Sequence, residues 1–308
     1  MTKRLHVEVV VTTMLLAVAV ILVFSPDAFL PMLLRAFLHW WAMGLVVVGL
    51  AAFWNRLRLF GTAAFCSALG ILPQTQVPAV DALRPGDAHG LRVAHLNVFQ
   101  GNDDYAAVIA SVLRFDADVI SVQEVGPEWA SALRSGLHER YPYAVVVPRT
   151  NCTGIALFSR SPFLRAEVIE IAWTPFIDVT VKQSGQEFRV IAAHATSPGG
   201  YGRFARRNRQ LEELARMVRD SDTPVILVGD LNTVHWDDAY QQFCIVSGAR
   251  PINSSLQPTW PAIGPFALIP LDHALITGSL SASRFHSFRI SGSDHRGLLT
   301  EIHRAHAS

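Results

Sequence analysis

From Leu91 to Ile302 the chain repeats one device: a short apolar run that ends in a carboxylate, a carboxamide or an imidazole. Asn97 ends RVAHLN, Glu124 follows VISVQ, and His194 follows RVIAA. Asp230 and Asn232 close VILVGDLN, Asp272 follows IPL, and Asp294-His295 precedes RGLL. Short runs of consecutive apolar residues suit strands buried on both faces. A polar side chain at the end of such a strand is carried by a rigid element and is held accurately at the sheet edge. A single Asp after a strand is an ordinary turn residue. Six endings drawn from one chemical set need another explanation.

The spacing of these runs limits the fold. Strands are predicted at 91–97, 118–122, 144–147, 154–159, 166–171, 178–182, 188–193, 225–228, 267–276, 284–290 and 298–302. Helical patterns fall at 105–115, 204–219 and 236–246. A purely parallel βαβ sheet would need a helix between most neighbouring strands. Two stacked mixed β-sheets with helices outside them fit better, so the expected class is α+β with a four-layer α/β/β/α sandwich.

The chain ahead of this domain has another texture. Residues 7–24 and 37–54 are almost wholly apolar, and the second pattern reaches back past Arg35 to residue 29. Each approaches the length that crosses roughly 30 Å of hydrocarbon. A weaker third segment starts at residue 59 and reaches the first prolines of the following stretch. The expected organisation is a membrane anchor over 1–75 (spans 7–24, 29–54 and 59–75), a Pro-rich linker over 76–90 and a catalytic domain over 91–303. Lys3 and Arg4 precede the first span, and Arg56 and Arg58 lie between the second and third. The positive-inside rule then puts the N-terminus in the cytoplasm. Three spans would place the catalytic domain outside a multi-pass cell-membrane protein.

Charge narrows the partners. Charged residues are 17% of the 308, and mean hydropathy is +0.28. From residue 81 onward there are 21 bases and 23 acids, a net charge of −2. Sequence-independent nucleic-acid binding needs a basic footprint, so that partner is not favoured. No protein partner is predicted. Cys66, Cys152 and Cys244 match no zinc spacing and make no disulfide framework. A Cys152–Cys244 bridge stays open for an extracytoplasmic domain.

Taken in order, LNV at Asn97, QE at Glu124, GIALFSRSP from Gly154, AAHATSP at His194, RRNRQ from Arg206, GDLN at Asp230 and Asn232, LDHAL at Asp272 and SDHRGL at Asp294-His295 resemble the endonuclease/exonuclease/phosphatase superfamily. Its fold is DNase I-like. With the apolar segments in front, the architecture is similar to the VanJ-type teicoplanin-resistance membrane proteins. The resemblance implies a metal-dependent phosphoesterase. Glu124 would hold Mg²⁺, or Mn²⁺ in its place, with Asn97 and Asp294 as further ligands. Asp230 would activate water; Asn232, two residues on and pointing the same way if the chain stays extended, would meet the phosphate with His194 and His295, and Asp272 would fix the tautomer of His295. Asn97, Asn232 and Arg206 are the expected substrate contacts. Repair endonucleases of this superfamily carry an acid two residues after the first-motif Asn; here that position is Phe99. His235, Asp237 and Asp238 are read as a solvated helix start. The membrane bilayer and a lipid-linked phosphate ester or diphosphate are the expected partners, with a tethered nuclease as the alternative.

Overall fold

The structure is a computed structural model that describes residues 3–76 and 90–304, so most of the expected linker lies outside the described residues. The chain divides into two compact units, Met1–Val77 with Val234–Asp238, and Pro78–Thr233 with Ala239–Ser308.

The first unit is helical: α1 (Lys3–Phe24), α2 (Phe29–Arg35), α3 (Leu38–Trp54) and α4 (Arg58–Ile71), followed by a 3₁₀ turn at Leu72–Thr75. Among the described residues only α1 is long and apolar enough by itself to cross a bilayer, and just 17% of its apolar window is buried. The expected second span is broken between α2 and α3 by a 59° bend and qualifies only if the pair counts as one. The expected third span becomes a 14-residue helix. At 1.5 Å per residue this falls well short of the hydrocarbon thickness. Glu8, the single acid of α1, has a local reason. Its Oε1 accepts the Leu59 and Phe60 N–H groups at 2.9 and 3.3 Å, capping the open start of α4.

Among the described residues, the second unit holds twelve strands and four helices. They are β1 (Leu91–Asn97), α5 (Tyr105–Phe115), β2 (Val119–Gln123), α6 (Pro127–Leu137), β3 (Tyr143–Val147), β4 (Ile155–Ser159), β5 (Phe163–Ile171), β6 (Thr174–Gln183), β7 (Gln186–Ala192), α7 (Tyr201–Arg219), β8 (Val225–Asp230), α8 (Asp238–Ser247), β9 (Arg250–Pro251), β10 (Asp272–Ile276), β11 (Leu280–Arg289) and β12 (Arg296–Arg304). One sheet has the order β11-β12-β1-β2-β4-β3 and the other β5-β6-β7-β8-β10-β9. Each sheet has one parallel pair at its centre, β1 with β2 and β7 with β8, and its other pairs are antiparallel. The expected stacked mixed sheets are therefore present.

Alternation along each strand builds the layers. Leu91 and Val93 of β1, Val190 and Ala192 of β7, and Ile226 and Val228 of β8 meet between the sheets. Ala94 and Leu96 turn outward, where α5 and α6 cover them; Ile191 and Leu227 turn outward beneath α7 and α8. Fully burying such side chains contributes roughly 1.5–3 kcal/mol each.

Some expectations were off. Helix α6 is absent from the pattern reading, although Pro127 opens it and Trp129, Leu133 and Leu137 share its buried face. The strand expected at 267–276 begins only at Asp272, because the Thr259 hydroxyl accepts the backbone N–H groups of Leu271 and Asp272 at 3.0 Å. His235 and Asp237 are buried instead of solvated.

Candidate active site

The same alternation that places Leu91 and Val93 between the sheets also directs His95 and Asn97 there. Likewise Val119 leads to Ser121 and Gln123, Ala192 leads to His194, and Val228 leads to Asp230. One end of the inter-sheet layer is thus apolar and the other polar. The parallel register pairs Asn97 with Gln123, and the antiparallel register pairs Asp230 with Asp272. Two sheets therefore deliver their polar strand ends to one place.

Gln123 joins the sheets there. Its amide nitrogen donates to the Ala193 carbonyl, and its Oε1 accepts the Asp230 N–H at 2.9 Å. Gly229 permits this approach, since a Cβ there would lie 1.7 Å from the Ala193 oxygen.

At the centre, Asn97 Nδ2 donates to Glu124 Oε1 and to Asp230 Oδ2, both at 3.2 Å, and lies 3.4 Å from His295 Nε2. The Phe99 N–H donates to Asn97 Oδ1 at 3.1 Å, which sets the amide that way round. Glu124 Oε2 accepts the Gln100 N–H at 2.9 Å. Phe99 and Glu124 both have left-handed backbone, at φ +62° and +63°. Non-glycine residues hold such angles at a cost and cluster at functional sites.

Asp272 is fully buried between two histidines. His295 Nδ1 lies 2.9 Å from Oδ2, and His95 Nε2 lies 2.8 Å from Oδ1. Burial works against the Asp272 charge, but His295 and His95 outweigh it and hold the carboxyl well below its usual range. Burial likewise pushes His295 down, while Asp272, Asp230 and Asp294 raise it to about 10. Burial pushes Asp230 above the usual carboxylate range against the pull of His295, and the Asp272 and Glu124 charges add to the rise. Burial and the neighbouring His295 lower His194 to about 3, so it stays neutral. The surroundings thus favour the charged form of His295 and the neutral form of His194. Asp230 Oδ2 lies 3.8 Å from His295 Nε2 and 3.7 Å from His194 Nε2.

These donors fit a divalent cation. Asp230, Asp272 and His295 present ligand atoms within 4.8 Å of one another. Asp272 has both oxygens committed to histidines, which leaves Asp230 and Glu124 as the open hard-oxygen groups; the Asn97 amide turns its nitrogen to both and its oxygen to the Phe99 N–H. Among the described residues, neither Glu124 nor Asp230 has a Lys or Arg among its hydrogen bonds and ion pairs. Two carboxylates with His295 as the one cation beside them suit an added divalent ion.

The other expected residues divide. Asn232 is next to Asp230, but it does not continue an extended chain. Its φ is +50°, its N–H donates to Asp230 Oδ1 at 2.8 Å, and its amide donates to the Ala195 carbonyl at 2.9 Å. Asn tolerates this left-handed turn, and so the two-residue repeat fails one step past the strand. Asp294 Oδ2 accepts from Trp260 Nε1 at 2.9 Å, and its buried Oδ1 has no partner. Arg206 is not gathered into the site: its exposed guanidinium lies 5.2 Å over the Trp173 ring. Its neighbour Arg207 is fully buried and donates to the Asn232 carbonyl at 3.3 Å. The three cysteines are free.

Sequence reasoning missed His95, Gln123, Thr259 and Ser293. His95 and Gln123 carried a legible signal, the two-residue step to Asn97 and from Ser121. Ser293 did not; its hydroxyl donates to the Asn97 carbonyl at 2.8 Å and accepts the His295 N–H at 3.0 Å.

Residues 94–295 match the profile of the Endonuclease/Exonuclease/phosphatase family. Among the solved structures that share the fold are the following three. A humanized D. rerio TDP2 is 17% identical, with TM-score 0.59, covering 70% of this chain and 100% of that one. The human Nocturnin catalytic domain is 19% identical, with TM-score 0.57 and coverages of 73% and 96%. Sphingomyelinase C from Streptomyces griseocarneus is 19% identical, with TM-score 0.53 and coverages of 70% and 99%. No curated protein matches.

Proposed function

The chain belongs to the endonuclease/exonuclease/phosphatase family, and from that premise we propose that it is a membrane-anchored, Mg²⁺-dependent phosphoesterase acting on a lipid-linked phosphate ester or diphosphate. Members of the family are metal-dependent phosphoesterases and nucleases. The observation that carries the reading is the convergence of Glu124, Asn97, Asp230, His194 and the Asp272–His295 pair on one end of the inter-sheet layer.

Glu124 and Asn97 are the residues that would hold the cation, with Asp294 beside them. Mg²⁺ prefers such oxygens and keeps several waters; Mn²⁺ fits the same set. When bound, the ion neutralises phosphoryl oxygens and eases formation of the nucleophile. Asp230 orients the attacking water in line with the leaving group and takes its proton. His295, held protonated by Asp272, donates a charge-assisted hydrogen bond to the phosphoryl group. His194 donates as a neutral imidazole, so it adds no charge that would repel the metal. Asn232 steadies a phosphoryl oxygen.

The lipid choice rests on two supports. Helix α1 is long and apolar enough to cross a bilayer. The domain net charge of −2 gives no basic track for a polyanion. A sphingomyelinase among the structural relatives is consistent with it. In this reading α1, α2–α3, and α4 lengthened by the 3₁₀ turn at Leu72–Thr75 form a multi-pass anchor of the VanJ type over 1–75, and the domain over 91–303 lies outside the cytoplasm.

The test is direct. Full-length protein reconstituted in vesicles with Mg²⁺ is given a polyprenyl diphosphate and, separately, plasmid DNA. Phosphate release from the lipid, abolished by EDTA, is the expected result. DNA nicking with no lipid turnover would replace this reading with a tethered nuclease, the activity suggested by a TDP2 relative bound to single-strand DNA product.

A further inference from the structure

Between Arg250 and Asp272 the chain runs 21 residues without a charge, in a protein that is 17% charged. Residues 259–269 of that run fold into a hairpin closed by the bridges Trp260 with Ile269 and Ile263 with Phe266. Its turn is Gly264-Pro265, with Gly264 at φ +58°. Ala267 and Ile269 are buried, whereas Ile263 is 63% and Phe266 71% exposed.

The base of this hairpin is hydrogen-bonded to Asp272 and to the two residues that flank His295. Thr259 Oγ1 accepts the Asp272 N–H at 3.0 Å, and the Thr259 carbonyl accepts the Arg296 N–H at 2.9 Å. The Ala262 N–H donates to the Asp294 carbonyl at 2.7 Å, and Trp260 Nε1 donates to the Asp294 carboxylate. The Trp260 ring centre is 6.4 Å from that of His295. An apolar tip therefore stands free on a base that is fixed to the catalytic residues.

Single exposed apolar residues are normal, but a preformed hairpin that exposes two of them beside a phosphate site is not scatter. Its occupant is narrowed by charge. A nucleic acid needs cations, and this segment has none. A bilayer surface takes an uncharged apolar tip without needing any polar complement. The chain also carries a helix of bilayer length. We infer that the 259–269 hairpin is an interfacial lip: Ile263 and Phe266 enter the bilayer surface and bring a lipid phosphate to Asp230 and His295. The inference rests on the lipid-phosphate reading above and assigns it a segment of the chain.

The test uses full-length protein with Mg²⁺ and the double variant Ile263→Ser/Phe266→Ser. A long-chain polyprenyl diphosphate in phosphatidylcholine vesicles is compared with its water-soluble short-chain analogue. The variant is expected to lose about tenfold or more on vesicles and to stay within about twofold on the soluble analogue. An unchanged vesicle rate overturns the lip, and so does an equal loss on both substrates, which reports general damage. A second readout needs no turnover. In Phe266→Trp, brominated phosphatidylcholine should quench the added indole beyond the quenching of the wild-type chain; no extra quenching overturns the lip. Turnover of neither substrate by wild type, with quenching present, removes the lipid-phosphate reading and leaves the lip standing.

Discussion

In the first sheet the central parallel pair leads to Asn97 and Glu124, a half-buried carboxylate held by the Gln100 N–H. In the second the equivalent pair leads to His194 and Asp230, which are 4% and 1% exposed. The same strand arrangement thus gives one end open to water and one closed to it. An open carboxylate can exchange a hydrated cation with solvent. A closed one has its charge penalised by burial, which favours proton uptake. In the proposed function, ion holding accordingly falls to the first sheet and water activation to the second.

The largest effects should come from setting these two ends against each other. Asp230→Asn is expected to lower kcat by about 10³-fold or more, with no recovery at saturating Mg²⁺. Glu124→Gln should lose comparably at low Mg²⁺ and recover in part as the metal is raised. Metal titrations of both variants decide this; rescue of Asp230→Asn instead would invert the assignment.

Next in size is the pair that closes the second end. Asp272→Asn should cost on the order of 10²-fold. It should also move the alkaline limb of the pH–rate profile. Asp272 raises the His295 proton affinity, so its loss lets that proton leave at lower pH and the rate falls away earlier. A limb that stays in place would remove His295 as its source.

A smaller effect tests whether the ends act as one body. Gln123→Ala strands the buried Asp230 N–H and Ala193 carbonyl. At about 1–3 kcal/mol for each unsatisfied group, urea denaturation should show a loss of about 2–5 kcal/mol. A loss below about 1 kcal/mol would mean the sheets are independent there. Smallest of all, Arg206→Ala should change kcat/KM by less than about threefold, since its exposed guanidinium lies over Trp173 and, among the described residues, makes no contact with the site residues. A tenfold loss would return Arg206 to the substrate path.

Much of the site was legible because strand ends are legible. Asn97, Glu124, His194, Asp230 and Asp272 each terminate an apolar run, and the structure brings all five together with His295. The errors in the site occurred one step beyond a strand and on a helix. Asn232 was read as extended and sits in a left-handed turn. Arg206 and Arg207 are neighbours on α7, and only the helix phase decides which is buried.

The apolar runs and their polar endings belong to the sequence itself, because alternation along a strand is a local property that needs no partner. The sequence likewise determined α1, whose apolar length is a matter of composition. Tertiary structure decided which polar endings share protons. His95 and His295 are 200 positions apart in the chain and bind opposite oxygens of one buried carboxylate. The hairpin base at Thr259 and the bend between α2 and α3 were decided there too. Burial and cross-strand register depend on what the rest of the chain places alongside, and no local pattern encodes that.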